Sequence, residues 1–122
     1  MIVEDLLEKL NESMFKNKDF DEILDLRDSD LFDKEWIRIY TAIEEKKKIK
    51  GYSKENKQLS DEYCKKAYLK VYGLCKNDSL AAYISDDFGV ICDSELVGYT
   101  DNWLQALIET YAYSKIPCGD NF

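Results

Sequence analysis

The apolar residues of this chain recur at intervals of three and four almost from end to end, and nowhere do they alternate as a half-buried strand would. In "IVEDLLEKLNESMF" the side chains of Val3, Leu6, Leu7, Leu10 and Met14 share one helical face, with Glu4, Asp5, Glu8 and Glu12 on the other. The early acids also suit the positive end of a helix dipole. A break at "KNKD" precedes a short amphipathic segment carrying Phe20, Ile23 and Leu24. From Leu31 to about Lys48 the spacing of Phe32, Trp36, Ile39, Tyr40 and Ile43 predicts a longer helix, which ends in cationic turns and stops at Gly51.

The polar, lysine-rich "YSKENKQLS" predicts the longest exposed connection, with Ser60 as the N-cap of the helix that follows. That helix carries a stripe of Cys64, Ala67, Tyr68, Val71, Tyr72 and Cys75, and "KNDS" ends it. Beyond Ser79 a short helix, "LAAYI", runs into a second capping signal, "SDDF", so residues 86–97 are expected to form a helix of their own. Asp101 or Thr100 can cap the last helix, in which Trp103, Leu104, Leu107, Ile108 and Tyr111 point inward and Pro117 lies beyond the end. The expected fold is all-α, a single compact bundle of about five to seven helices. A chain of 122 residues is the size of one core, so residues 1–122 are expected to be one domain.

Composition agrees with a folded helical chain: 45% apolar, 34% charged, one Pro and five Gly. No apolar run is long enough to cross a bilayer, and "MIVED" lacks the basic start and apolar core of a signal peptide, so a cytoplasmic protein with no membrane partner is expected. Cys64, Cys75, Cys92 and Cys118 are spaced by 11, 17 and 26 residues, three of them in apolar helical patterns, which suits reduced and mostly buried thiols. Charge is distributed in blocks. Residues 1–35 hold 12 acids and 5 bases, residues 36–76 hold 5 acids and 11 bases, and residues 77–122 hold 8 acids and 1 base. A net charge of -8 argues against binding to a phosphate backbone, although the segment "EEKKKIKGYSKENK" leaves open a helical regulator that contacts nucleic acid or an acidic protein.

The chain has no histidine, which removes Ser-His-Asp and Cys-His catalysis and every zinc site that needs an imidazole. No two Cys lie within ten residues of each other, so a Cys-only zinc site is not expected either, and no glycine-rich phosphate loop is present. No cofactor is implied. Carboxylates alone remain for an enzyme: Asp86 and Asp93, seven residues apart on a helix, point nearly the same way and would suit a metal-dependent hydrolase.

Those two acids belong to a run from Asn77 to Ser114 that contains no Lys or Arg but holds Asp86, Asp87, Asp93, Glu95 and Asp101. Such a run is either a solvated face or a surface for a partner of opposite charge. On a helix over residues 86–97, Phe88, Ile91, Cys92 and Leu96 share one side, while Asp86, Val90, Asp93 and Val97 share another. Apolar residues on two faces fit a helix packed on the core with a contact surface outside, or a central helix buried on both sides. Glu95, on the Phe88 side, is either half-buried with a partner or a sign that the helix ends before it. Tyr83 and Tyr99 sit among these acids and add contact area, whereas Trp103 opens the inward stripe of the last helix.

The same region, "AAYISDDFGVICDSELVGYTDNWLQALIETYAYSKIPCG", resembles the helical immunity proteins that accompany bacterial polymorphic toxins, including those of contact-dependent growth inhibition systems. The "Y-I-x-D-D-F" opening, the "G-Y" and the following "D-x-W-L-x-x-L-x-x-x-Y" helix carry the likeness, which covers residues 81–119. The resemblance implies a small, cytoplasmic, non-enzymatic protein that binds a toxin domain, often a basic nuclease, and blocks its active site or an essential surface. From charge, the expected partner-binding residues are Asp86, Asp87, Asp93, Asp101, Tyr83 and Tyr99, with the acids from Asp19 to Glu35 as the second candidate.

Overall fold

Side-chain caps set most of the helix starts in the computed structural model, which describes residues 1–120 and 122 of the chain. Helix α1 spans Ile2–Lys9, and a single 3-10 turn follows at Glu12–Met14 under an Asn11 cap. Helix α2, Phe20–Arg27, starts where the Asp19 carboxylate accepts the Glu22 amide at 3.1 Å. Helix α3 is Asp30–Lys50 and ends at Gly51 in the left-handed region, φ 71°, a conformation that glycine adopts without strain. Helices α4 (Lys54–Cys75), α5 (Asp78–Val97) and α6 (Asn102–Ala112) start at Ser53, Asn77 and Asp101, whose side chains accept from Asn56, Leu80 and the Trp103/Leu104 amides. The described residues hold these six α-helices and no strand, and none of the helices is long and apolar enough to cross a membrane.

Three boundaries differ from the sequence pattern, each for a local reason. Residues 54–59 are helix rather than connection, because Ser53 caps in place of Ser60; this first stretch is mostly solvated and shows no apolar period. Ser60 is instead buried inside α4. The expected break at "SDDF" is absent, since the Ser85 hydroxyl donates to the Cys64 carbonyl of the neighbouring helix at 2.8 Å and caps nothing, so α5 runs unbroken for 20 residues. Helix α1 stops at Lys9, and Met14 reaches the core from the 3-10 turn.

Helix α5 is the axle of the fold. Ile84, Phe88, Ile91 and Cys92 are 0% exposed, and Val90 and Val97 on the other side are 5% and 2% exposed, so α5 is covered on both faces. Helices α1, α2, α3 and α4 all pack against it, whereas α3 and α4, although joined by a three-residue turn, make little contact with each other. Phe88 meets Tyr111 of α6 edge-on at 5.2 Å between ring centres, and both side chains are fully buried, each worth roughly 1.5–3 kcal/mol of transfer free energy. Glu95 accepts the backbone amides of Ile2 and Val3, both at 3.0 Å, and thereby caps α1 from the far end of α5.

The tightest approach is between α4 and α5. A Cβ placed on Gly89 would lie 2.6 Å from Cys64 Sγ, closer than two such atoms can sit. The cysteine sulfur has one torsion through which to retreat, and helical geometry restricts it. Gly89→Ala is therefore expected to lower stability, with an overpacking penalty of about 1–3 kcal/mol outweighing the gain of about 1 kcal/mol in helix propensity. Thermal unfolding checks this: in a Cys64→Ala background the same substitution should become neutral or stabilising, and equal losses in both backgrounds would locate the constraint elsewhere.

Candidate functional site

Three carboxylates of the cation-free run, Asp87, Asp93 and Asp101, find positive partners in the first half of the chain. Asp87, in the middle of α5, is 0% exposed and receives Arg27 in a two-point pair, Nη1 to Oδ2 at 2.6 Å and Nη2 to Oδ1 at 2.7 Å. Trp36 Nε1 donates to the same carboxylate at 2.9 Å and Tyr111 Oη at 2.5 Å, while Arg27 also donates to the Pro117 carbonyl at 3.2 Å. Burial opposes the charge on Arg27, yet Asp87 holds the guanidinium more firmly protonated than usual. Burial, then the charge of Asp87, pushes the Tyr111 hydroxyl well above its ordinary range. Asp87 thus has no surface to offer a partner and leaves the expected contact set.

Asp93 and Asp101 are also engaged. Lys47 Nζ lies 2.9 Å from Asp93 Oδ2 and 2.7 Å from Glu44, the Tyr52 hydroxyl donates to Asp93 at 2.5 Å, and Lys47 sits 4.4 Å above the Tyr52 ring. This clasp ties the α3–α4 turn to α5. Asp101 caps α6 and pairs with Arg38 at 2.9 Å, an interaction that holds its carboxyl below the usual carboxylate range. Tyr99 is half-buried beside Asp101 in a separate hollow between α1, α5 and α6.

Asp86 is the exception. Of the carboxylates between Asn77 and Ser114 it alone makes no hydrogen bond or ion pair among the described residues. It is exposed at the lip of a groove, and the surrounding protein, then the neighbouring Asp87, raise its carboxyl above the ordinary range. The mouth of that groove is a hollow of about 160 Å³ walled by Asp28, Asp33, Trp36, Tyr83 and Asp86, with the buried Arg27 and Phe32 beneath. Tyr83 donates to Asp28 at 2.5 Å. The groove continues past Trp36 and Asp86 into a second hollow of about 190 Å³, walled by Tyr40 and Glu44 of α3 and by Asp61 and Cys64 of α4, with Gly89 and Val90 as its floor.

The splay of α3 from α4 over α5 creates this space, and the Lys47–Asp93–Tyr52 clasp closes one end of it. Its walls hold six carboxylates against two bases, both already paired. Trp36 and Tyr40 stack along the α3 wall at 5.5 Å and 13°, and Tyr40 is 44% exposed. Carboxylates beside open aromatic faces suit a guanidinium or ammonium group.

Of the expected residues, the structure brings Tyr83 and Asp86 together at the mouth and sets Asp93 at the closed end. Asp101 and Tyr99 lie elsewhere. From the second candidate set, the acids from Asp19 to Glu35, Asp28 and Asp33 stand at the mouth; Trp36 and Tyr40 carry no signal in the sequence as groove residues, because α3 supplies a wall only when α5 lies beneath it. Arg27 did carry a signal: with Phe20, Ile23 and Leu24 it completes the apolar stripe of α2, where a cation needs a buried anion.

For metal binding, Asp86 and Asp93 lie two turns apart, about 10 Å along the helix axis, and Asp93 is already held by Lys47 and Tyr52. Among the described residues no three His, Cys, Asp or Glu side chains gather around a common point. The chain matches the family model described as "Immunity protein PIM1" over residues 3–118. Among curated proteins no sequence matches it.

Removing one half of the buried pair strands the other. Arg27→Met is expected to lower stability by about 3–5 kcal/mol, and adding Asp87→Asn should restore at least about 1 kcal/mol of that, because the stranded anion is then gone. Urea unfolding of both variants checks the coupling, and additive losses would show that the two groups act separately. The depressed Asp101 carboxyl contributes stability above its unfolded-state pKa that is lost as pH falls through the lowered value. Asp101→Asn should therefore be less stable at neutral pH and show a shallower acid limb between about pH 5 and 2.

Proposed function

Because the chain belongs to the PIM1 family of immunity proteins, we propose that it neutralises a cognate toxin domain by stoichiometric, noncovalent occlusion, and that the groove over α5 is the contact surface. The observation that carries this is Asp86, a carboxylate left without a counter-charge in a chain that pairs its neighbours Asp87, Asp93 and Asp101 internally. A toxin side chain bearing a guanidinium or ammonium group would complete it, flanked by Trp36 and Tyr83. Tyr40 and the exposed Ile37, on the outer side of α3, extend the contact with apolar area.

The net charge of -8 supports a basic partner, of the kind that nucleic-acid-cleaving toxins present, met in the cytoplasm of the producing cell or of a sibling receiving the toxin. Steering by the acidic groove would act mainly on the association rate and weaken with salt. No catalytic step by this chain is required. Tyr99 and Asp101 form the second candidate surface, on the hollow between α1, α5 and α6.

The test is calorimetry with the toxin domain whose gene adjoins its own. Asp33→Lys with Asp86→Lys, and separately Tyr40→Ala, should each weaken binding by about 2 kcal/mol or more, the level of a hot spot. Wild-type affinity in both would remove the groove and direct attention to Tyr99 and Asp101. Asp86→Asn separates folding from binding. The raised carboxyl contributes stability only at acid pH, lost as pH rises through the raised value, so the neutral side chain should leave the melting temperature unchanged or slightly higher while affinity falls.

A further inference from the structure

The outward face of α4 is built largely of exposed side chains; within it Tyr72 stacks on Tyr68 at 6.1 Å and Lys76 lies 5.6 Å over the Tyr72 ring. Glu62, Lys65, Lys66, Leu69, Tyr72 and Gly73 recur at three- and four-residue spacing along α4, Lys76 follows as its C-cap in the left-handed region (φ 56°), and all are exposed, opposite the buried Tyr63, Ala67 and Val71. Leu69 is 58% and Tyr72 41% exposed. Gly73 sits in the helix interior, where glycine is a costly choice, yet a Cβ there would meet nothing within 4 Å. Gly89 is explained by Cys64; Gly73 has no such neighbour. None of Glu62, Lys65, Lys66 and Lys76 makes an ion pair among the described residues.

We propose that this face binds a second copy of the chain, the two α4 helices running antiparallel about a two-fold axis through Leu69. In that register the sequence is complementary to itself. Leu69 meets Leu69 of the second copy, Glu62 meets Lys76, Lys66 lies over Tyr72, and Lys65 comes over Gly73, whose missing side chain admits the other helix. A two-fold contact requires such self-complementarity, since each residue pair occurs twice. Charge also selects the register: a slip of three residues would set Lys65 against Lys76 of the second copy and remove the Glu62–Lys76 pairs.

The stripe spans four helical turns, about 21 Å. That is short for a stable dimer interface, so the association is weak and concentration-dependent. It involves none of the residues that wall the groove, so a dimer would leave both grooves open, and the inference stands whether or not the groove binds a toxin.

Sedimentation velocity of the whole chain over a concentration series up to about 1 mM tests it. The sedimentation coefficient should rise from monomer toward dimer with concentration. Glu62→Lys and Lys76→Glu should each hold the protein as monomer through the same range, and the double exchange Glu62→Lys/Lys76→Glu should restore the rise, because it reverses both charges of the pair. Monomer at every concentration, or a double exchange no better than its parents, would overturn the proposal. Circular dichroism of the variants confirms that these exposed exchanges leave the helices formed.

Discussion

The pair between Arg27 and Asp87 is the constraint on which the remaining structure depends. Neither ion can be buried alone, and each is placed by a different part of the chain: Arg27 by the last turn of α2, Asp87 by the middle of α5. Around them Trp36 of α3, Tyr111 of α6 and the Pro117 carbonyl complete the hydrogen bonding, so four helices and the segment after α6 share one node. No buried side-chain nitrogen or oxygen among the described residues is left without a partner. Such a node specifies one arrangement of the helices more than it adds net stability, since slipping any helix would leave a charge unpaired. The same node lies beneath the groove, where Arg27 and Trp36 fix the wall against which Asp86 and Tyr83 stand.

This arrangement also accounts for the block pattern of charge. The acids of α5 and α6 are answered from α2 and α3 by Arg27, Arg38 and Lys47, and by the amides that open α1. The run without cations is thus largely balanced in space, though not along the sequence. What remains unpaired at the surface is smaller than the run suggests and more sharply located: Asp86, with Asp28 and Asp33 beside it. Asp87 is taken into the interior, while Asp86, adjacent in sequence, is left at the surface.

Helical periodicity made most of the fold legible, because α3 and α6 carry unbroken stripes and end on recognisable signals at Gly51 and Asp101. It failed where a local signal had another use. Ser85 resembles a cap but bonds across to α4, and residues 54–59 lack an apolar stripe because their helix has not yet reached the core. The acidic character of the site was readable, but the separation of Asp87 from Asp86 was not. It depends on Arg27, 60 residues earlier, and on a groove whose walls come from three helices.

The Glu95 carboxylate that caps α1 is 92 and 93 residues from the amides it accepts. Helices α4 and α5, adjacent in sequence and the most extensively packed pair, can associate as soon as both are made. Helix α1 has no such local partner; its cap, like the anion that Arg27 needs, arrives only with α5. The contacts that hold α1 are therefore all non-local, whereas the α4–α5 hairpin is held by neighbours in sequence. Helix α1 thus depends on a segment far along the chain, and the groove, which needs α3 laid upon α5, depends on the same helix.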